Sequence, residues 1–456
     1  MRASFGRRDS RAGLASFSGA DLPIAVALGL VVLVAHALSP IRTSFDSRWT
    51  IPTAVSIAYR GDDDLDEYAW PIVEVHGYAV EWREGRSFSR YPIGPSLLAV
   101  PVVVTYDAVA SVTGGSSVEE LVWQGRAVRV EALVASAVVA GVTPLIFAMA
   151  RCRGLGAGAA AGVALAFAFC TPAWSTASRG LWQHGPSMLT LASAMTLLLL
   201  ARQRDLWAAV AGVPLGLGFL MRPTNAIALV VLTAYVALRH PRRLPAMVLA
   251  WSAVLAVFVA WNLYDFGAPL PPYYLPGGQP RAPWSAVPRV LVAHLVSPNR
   301  GLLVFSPVVL LAAVGILTQM RLRALDGLDV ALLAVLCSHF AAVSLFREWW
   351  AGHSFGPRYA TDVLPLLAWF SMPAVVSLSG LRGRRRDVAL VVTGLLVAWS
   401  FLVHLRAATT WDVWAWNGTP VSVDERPERA WDWSDLQILR GLRREPSTAT
   451  SGSPAS

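Results

Sequence analysis

Lysine is missing from this chain. All 38 basic residues among its 456 positions are arginine. The absence reads as coding bias and says little about mechanism. Charge of either sign is scarce, at 15% of residues, where soluble domains carry about 25%. Set beside 55% hydrophobic residues and a mean hydropathy of +0.50, that scarcity excludes a soluble globular fold. Cysteine is scarce too. Cys152, Cys170 and Cys337 lie in or beside apolar runs with no evident pairing. A disulfide framework is therefore not indicated, and no zinc-ligand spacing is present. A glycine-rich phosphate loop and a Ser/His/Asp arrangement in a recognisable context are likewise missing.

What is present is a succession of apolar runs, each near the roughly 20 residues a helix needs to cross a bilayer. The formal charge of +9 sits at the ends of those runs. It reads as a topology signal, not as a nucleic-acid surface. Arg2, Arg7, Arg8 and Arg11 precede the run Leu22–Leu38. Residues 1–20 are thus expected to be cytoplasmic and the run to be an uncleaved first helix, with a secretory signal as the rival reading. Further spans are expected near 128–150, 155–173, 186–201, 206–220, 224–239, 245–265, 301–319, 328–346, 360–380 and 387–405. The fold class is all-α, a polytopic membrane domain over 21–406 with about 11 crossings.

The run 92–112 is the ambiguous one. If it crossed, Arg151 and Arg153 would fall outside, against the positive-inside rule. Two internal prolines and Asp107 also suit a helix lying along the interface. With 92–112 interfacial, Arg151/Arg153, Arg202/Arg204, Arg239/Arg242/Arg243, Arg321/Arg323 and Arg382/Arg384/Arg385/Arg386 all fall on short inner connections. The outer segments are longer and mix acids, aromatics, histidine and arginine: 42–127, 174–185, 266–300, 347–359 and the tail 407–456. Polar groups gathered at one membrane face point to a site there. The last ten residues have the composition of a disordered end.

Asp46 lies just past the first helix. A carboxylate there is placed to take a proton from an acceptor hydroxyl, help worth about 10²–10⁴ in rate. The plainer alternative is a helix-end residue paired with Arg48. The acidic run containing Asp62 and Asp64 offers hard oxygen ligands for a divalent cation, although its spacing fits no calcium loop and a solvated turn is the simpler reading. Arg347–Tyr359 is the most unusual segment, with Glu348, Trp349, Trp350, His353 and Arg358 around Gly352, Gly356 and Pro357. Arg358 would stand at the mouth of the next helix, where a guanidinium is suited to hold a phosphate. Arg179, His184, Arg222 and Arg300 share the same face. Asn417-Gly418-Thr419 matches a glycosylation triplet and carries little weight.

This arrangement resembles the GT-C superfamily of polytopic glycosyltransferases, close to the protein mannosyltransferase or family 39-like group. The resemblance rests on Asp46 after the first helix and on the large first outer loop with its Tyr91-Pro92-Ile93-Gly94-Pro95 step. Two further stretches carry it: the glycine-rich Gly212–Thr224 and the Trp174–His184 region. It covers about 400 residues in layout. It implies an inverting transfer of a sugar from a polyprenyl-phosphate donor to the hydroxyl of a glycan, lipid or protein acceptor. The transfer would occur at the extracytoplasmic face of a bacterial plasma membrane, with membrane lipids and no nucleic acid as partners. Asp46 would be the base. Arg358, Arg222, Arg300, Arg179, His184, Tyr91, His353, Trp350 and Glu348 would bind substrate. Many members carry two adjacent acids where this chain has Asp46-Ser47, which leaves Asp62 or Asp64 open as the base; a divalent cation also stays open. A transporter or lipid flippase, or a noncatalytic scaffold, is the rival class. Charges in transporters line a path at mid-bilayer depth, and span interiors here hold few acids.

Overall fold

The computed structural model describes residues 17–69, 77–275, 278 and 281–442. The expected cytoplasmic segment lies mostly outside the described residues, and the expected disordered end wholly so. Helix formation follows the apolar runs, because hydrocarbon offers no partner to a free backbone N–H or C=O and only helices satisfy both internally. Among the described residues, five helices are long and apolar enough to cross a membrane, and eight shorter apolar ones accompany them. Two of these thirteen do not cross, as argued below. The remaining eleven, read as crossings, give the polytopic layout of an integral membrane protein.

The crossing helices are α1 (Asp21–Ala37) and, after the first long loop, α5 (Val128–Cys152), α6 (Ala157–Phe169) and α7 (His184–Leu200). Before α5 come three non-crossing helices, α2 (Thr50–Tyr59), α3 (Gly94–Thr113) and α4 (Val118–Trp123). After α7 follow α8 (Leu206–Met221), α9 (Ala226–Arg239) and α10 (Leu244–Phe266). The short α11 (Val287–Val296) precedes α12 (Leu310–Arg321), α13 (Gly327–Val343), α14 (Leu364–Ser379) and α15 (Gly383–Thr409). The span expected at 301–319 begins later, at Leu310. The Ser306-Pro307 step breaks the run because proline brings no N–H to the helix ladder. The largest apolar cluster is drawn mainly from α1, α5, α6, α7, α8, α9, α13 and α14, with Met247 of α10 and Ala312 of α12.

One end of the bundle is tied by ion pairs between the expected inner arginines and acids at helix ends. Arg151 Nε meets Asp21 Oδ1 at 2.7 Å, Arg153 meets Asp329 at 3.3 Å, Arg202 meets Asp326 at 2.7 Å and Arg243 meets Asp205 at 2.8 Å. These four pairs join α1, α5, α7, α13 and the turns beside α8, α9 and α10. The opposite end carries Asp46.

Helix α3 stays at the Asp46 end throughout. Its first residue, Gly94, packs on the carbonyl of Leu220 at the end of α8. Near its other end, Asp107 accepts from Tyr59 Oη at 2.7 Å and from the Val118 backbone N–H at 2.6 Å. Val118 and Leu121 of α4 pack with Val130 and Val134 on the early turns of α5. Both ends of α3 are thus fixed at one end of the bundle, as expected for 92–112. Helix α11 is held in the same way. The Ala282 N–H just before it donates to Leu345 O, and the Ser297 hydroxyl just after it donates to Ala430 O. The all-α expectation misses one element: β1 (Val80–Arg83) pairs antiparallel with β2 (Arg86–Ser89) in the first loop. Glu84 and Gly85, at positive φ, make its turn.

Candidate active site

Asp46 sits on the turn between α1 and α2. Two serines flank it and both point away, toward α5. Ser44 Oγ donates to Glu131 Oε2 at 2.5 Å, Ser47 Oγ donates to Glu131 Oε1, and the Leu181 N–H donates to the same oxygen at 2.8 Å. Glu131 therefore pins the turn at both shoulders and leaves Asp46 at its tip. Gly180 closes this joint. A Cβ there would lie 2.2 Å from Thr43 O and 3.1 Å from Glu131 Oε1, so no side chain fits.

Asp46 faces Arg358. The Arg358 Nη2 donates to Asp46 Oδ2, and Tyr78 Oη donates to Asp46 Oδ1 at 2.7 Å. Burial works to raise the Asp46 pKa. The guanidinium and the phenol outweigh it and hold the carboxyl below its ordinary 3.8. Burial and the Asp46 charge both push the Tyr78 phenol up, so it remains a donor.

The Arg358 loop is shaped by glycine. Gly352 and Gly356 both have φ +59, and a Cβ on Gly356 would meet the Phe305 ring at 2.5 Å. That turn delivers Arg358 to the start of the helical segment leading into α14. Its guanidinium lies over the Trp182 ring at 4.1 Å. Its Nε donates to His184 Nε2 at 3.0 Å, and His184 Nδ1 lies 3.2 Å from Asp362 Oδ1. Arg222 Nη1 touches the same edge of the ring and donates to Asp362 Oδ2 at 2.5 Å. The contacts run in a line, Asp46 to Arg358 to His184 to Asp362 to Arg222, with the histidine ring between two acid–arginine pairs. Four separate segments contribute to it, and each charge has its counter-charge, as a low-dielectric site requires.

These groups wall a cavity of about 560 Å³, within the usual range for small-ligand sites. Asp46, Arg358, Arg222, His184, Tyr91, His353 and Glu348, all expected from the sequence, line it. Aromatic rings make up much of the remaining wall. Tyr91 and Tyr273 have centroids 5.0 Å apart, as do Tyr273 and Tyr274, and Tyr359 and Trp182 face them.

Three expected binding residues do not line the cavity. Arg300 is buried, and its guanidinium donates to Trp350 O, Asn299 O, Gly352 O, Gln437 Oε1 and Asn417 Oδ1 between 2.6 and 3.1 Å. It binds the Arg358 loop to the C-terminal tail. Arg179 is fully buried and donates to the carbonyls of His36, Ser39, Ile41 and Trp174. It gathers the chain leaving α1. Trp350 turns inward and donates its Nε1 to Asp424 Oδ1 at 2.7 Å. The acidic run is also engaged: Arg86 pairs with Asp64, and Asp66 accepts from Ser87. Neither Asp62 nor Asp64 lines the cavity, and among the described residues no cluster of three His, Cys, Asp or Glu side chains is placed to hold a metal. Asn417 is buried with both amide atoms hydrogen-bonded, so its triplet is structural.

Sequence reasoning missed Asp362, Glu131, Tyr78 and Trp182. Glu131 and Asp362 each sit within four residues of an arginine at a span start, and an acid at such a position was a readable signal.

No family model and no curated protein matches the chain. Among solved structures it is similar to ArnT from Cupriavidus metallidurans bound to undecaprenyl phosphate, with a TM-score of 0.50 and 16% identity. The match covers 87% of this chain and 64% of that one, so this chain spans less than two thirds of its neighbour's length. The apo state of the same protein gives a TM-score of 0.48 at 17% identity, over 88% of this chain and 65% of that one. The likeness is one of fold. It agrees with the polytopic all-α fold class expected from the sequence.

Proposed function

We propose that this chain is an inverting membrane glycosyltransferase. It moves a sugar from a polyprenyl-phosphate donor to an acceptor hydroxyl at the extracytoplasmic face of a bacterial plasma membrane, with its N-terminus cytoplasmic. One observation carries the reading: Asp46 and Arg358, a base and a phosphate-type cation, meet on the wall of one cavity at one end of the helix bundle. The fold likeness to a protein solved with undecaprenyl phosphate supports the lipid-phosphate half of it.

In this reaction the acceptor oxygen attacks the anomeric carbon from the face opposite the leaving group. Its proton passes to Asp46. The anomeric C–O bond breaks, and its electron pair leaves with the lipid phosphate. Because that leaving group is stable as an anion, no general acid is needed. Arg358 stabilises the charge gathering on it, and His184, Asp362 and Arg222 keep Arg358 oriented. The tyrosine-rich wall offers flat apolar faces and hydroxyls to the sugar rings.

The test sets two assays on purified protein side by side. Labelled polyprenyl-phosphate sugars are screened for transfer to glycan, lipid and peptide acceptors. The same protein in proteoliposomes is assayed for uptake and lipid translocation. Transfer with inverted anomeric configuration is expected. Translocation without transfer would overturn the proposal.

A further inference from the structure

The Asp46 carboxylate covers the edge of Arg358 that a phosphate would need. A guanidinium binds an oxyanion best through two parallel N–H bonds. Here Nε is spent on His184, at 3.0 Å, and the planar face is spent on Trp182, at 4.1 Å. The two terminal nitrogens remain. Nη1 has only a long contact to Ala351 O, at 3.5 Å, and Nη2 is taken by Asp46. A phosphate that engages both nitrogens must displace that carboxylate.

The two partners differ in their freedom to move. Arg358 is fixed from behind, since its His184 contact is itself backed by Asp362 and Arg222, both buried. Asp46 is the tip of a turn whose shoulders are pinned by Glu131, and among the described residues only Tyr78 holds its other oxygen. The side chain can leave by rotating while the turn stays in place.

We propose that Asp46 occupies the donor phosphate's seat on Arg358 in the free protein, and that the arriving phosphate releases it to act as the base. The proposal rests on the glycosyltransferase reading and adds an order to it: lipid-phosphate donor first, acceptor second. Before the donor binds, the carboxylate is neutralised by a guanidinium and is a poor base. Afterwards it has lost that cation and has gained a neighbouring anion, and both changes strengthen its hold on a proton. The groups facing Asp46 through this change include Arg358, Tyr78, His184, Tyr91, Tyr273, Tyr359 and, more distantly, Glu348.

The probe is undecaprenyl phosphate without a sugar, bound to the purified full-length chain. If Arg358 is occupied at least nine-tenths of the time, removing its occupant tightens binding by about tenfold or more. Asp46→Asn is therefore expected to bind the probe at least that much more tightly than the native chain, and Arg358→Gln to lose binding. Equal or weaker binding by Asp46→Asn, with native binding still dependent on Arg358, would overturn the exchange and leave the donor reading intact. Binding that ignores Arg358→Gln would overturn both. A measurement on the native protein alone guards against a misfolded variant. The acid limb of kcat, which reports the donor-bound state, is expected at higher pH than the acid limb of kcat/KM for donor, which reports the free enzyme. Coincident limbs would overturn the exchange.

Discussion

Arg222 and Asp362 lie 140 positions apart in the chain and 2.5 Å apart in the fold, with almost no solvent on either side chain. Removing one member of such a pair leaves a buried charge uncompensated, at a cost of about 3–5 kcal/mol, whereas removing both costs much less. Arg222→Met and Asp362→Leu are each expected to lower the thermal stability of the detergent-purified protein markedly. The double variant should recover most of the loss. Additive losses in this cycle would mean that the pair is not coupled as its geometry implies.

Asp46→Asn keeps the shape of the side chain and removes the base. Transfer should fall by about 10²–10⁴, while expression persists and lipid-phosphate binding is not weakened. Near-native transfer by this variant would remove Asp46 from the mechanism and return attention to the acids at 62–67.

The same carboxylate sets a pH dependence of stability. Its pKa is lower in the folded protein than the ordinary 3.8, because Arg358 and Tyr78 outweigh burial. A lowered folded value means that the pair stabilises the fold fully above the unfolded pKa, near 4, and that this contribution disappears as pH falls through the folded value. The difference in melting temperature between the native chain and Asp46→Asn should stay flat from about pH 8 to 5 and shrink below about pH 4. A difference that faded between pH 8 and 6 would show that some other group controls the contact.

The crossing helices were legible in the sequence because a bilayer imposes one rule, internal backbone hydrogen bonding over about 20 apolar residues, and hydropathy reports it directly. The sidedness of Asp46 and Arg358 was legible for the same reason, since arginines at the inner ends fix which loops share a face. What a hydropathy pattern does not carry is the partner of a given guanidinium. Arg300 and Arg179 stand in segments expected on the same face as Arg358, yet Arg179 spends its protons mainly on backbone carbonyls, and Arg300 on backbone carbonyls and the side-chain oxygens of Gln437 and Asn417. The place of Asp362 near Arg358 at a span start was readable, but its partners, at the start of α7 and just past the end of α8, were not. The β1–β2 hairpin is short and lies in a polar loop without strong alternation, so no period-2 signal marked it.

Arg300 and Arg358 can be told apart by what fails when each is lost. Truncating Arg300 strands several buried acceptors at once, each costing about 1–3 kcal/mol. Arg300→Ala should therefore cut the yield of folded protein and lower its melting temperature, while KM for donor in the surviving fraction stays near native. Arg358→Gln should keep a larger folded yield and raise KM for donor sharply. A folded, donor-blind Arg300→Ala would restore Arg300 to the binding site.

The lie of α3 can be tested without any substrate. It has 20 residues and the hydropathy of a span, and on composition alone it would be placed across the bilayer. Its ends say otherwise, because Gly94 packs beside Leu220 and Asp107 caps α4 next to the early turns of α5. A crossing would carry Asp107 and its two hydrogen-bond partners to the face where Arg151 and Asp21 pair. In a background with Cys152, Cys170 and Cys337 replaced, single cysteines at Ser87 and Ser116 bracket α3, and one at Gly383 marks the arginine-rich end. A membrane-impermeant thiol reagent added to intact cells should label Ser87→Cys and Ser116→Cys alike and should spare Gly383→Cys. Opposite labelling of the first two positions would mean that α3 crosses. Every later helix would then reverse its direction, which would place Arg358 on the other face of the membrane from Asp46, a separation that their direct contact does not allow.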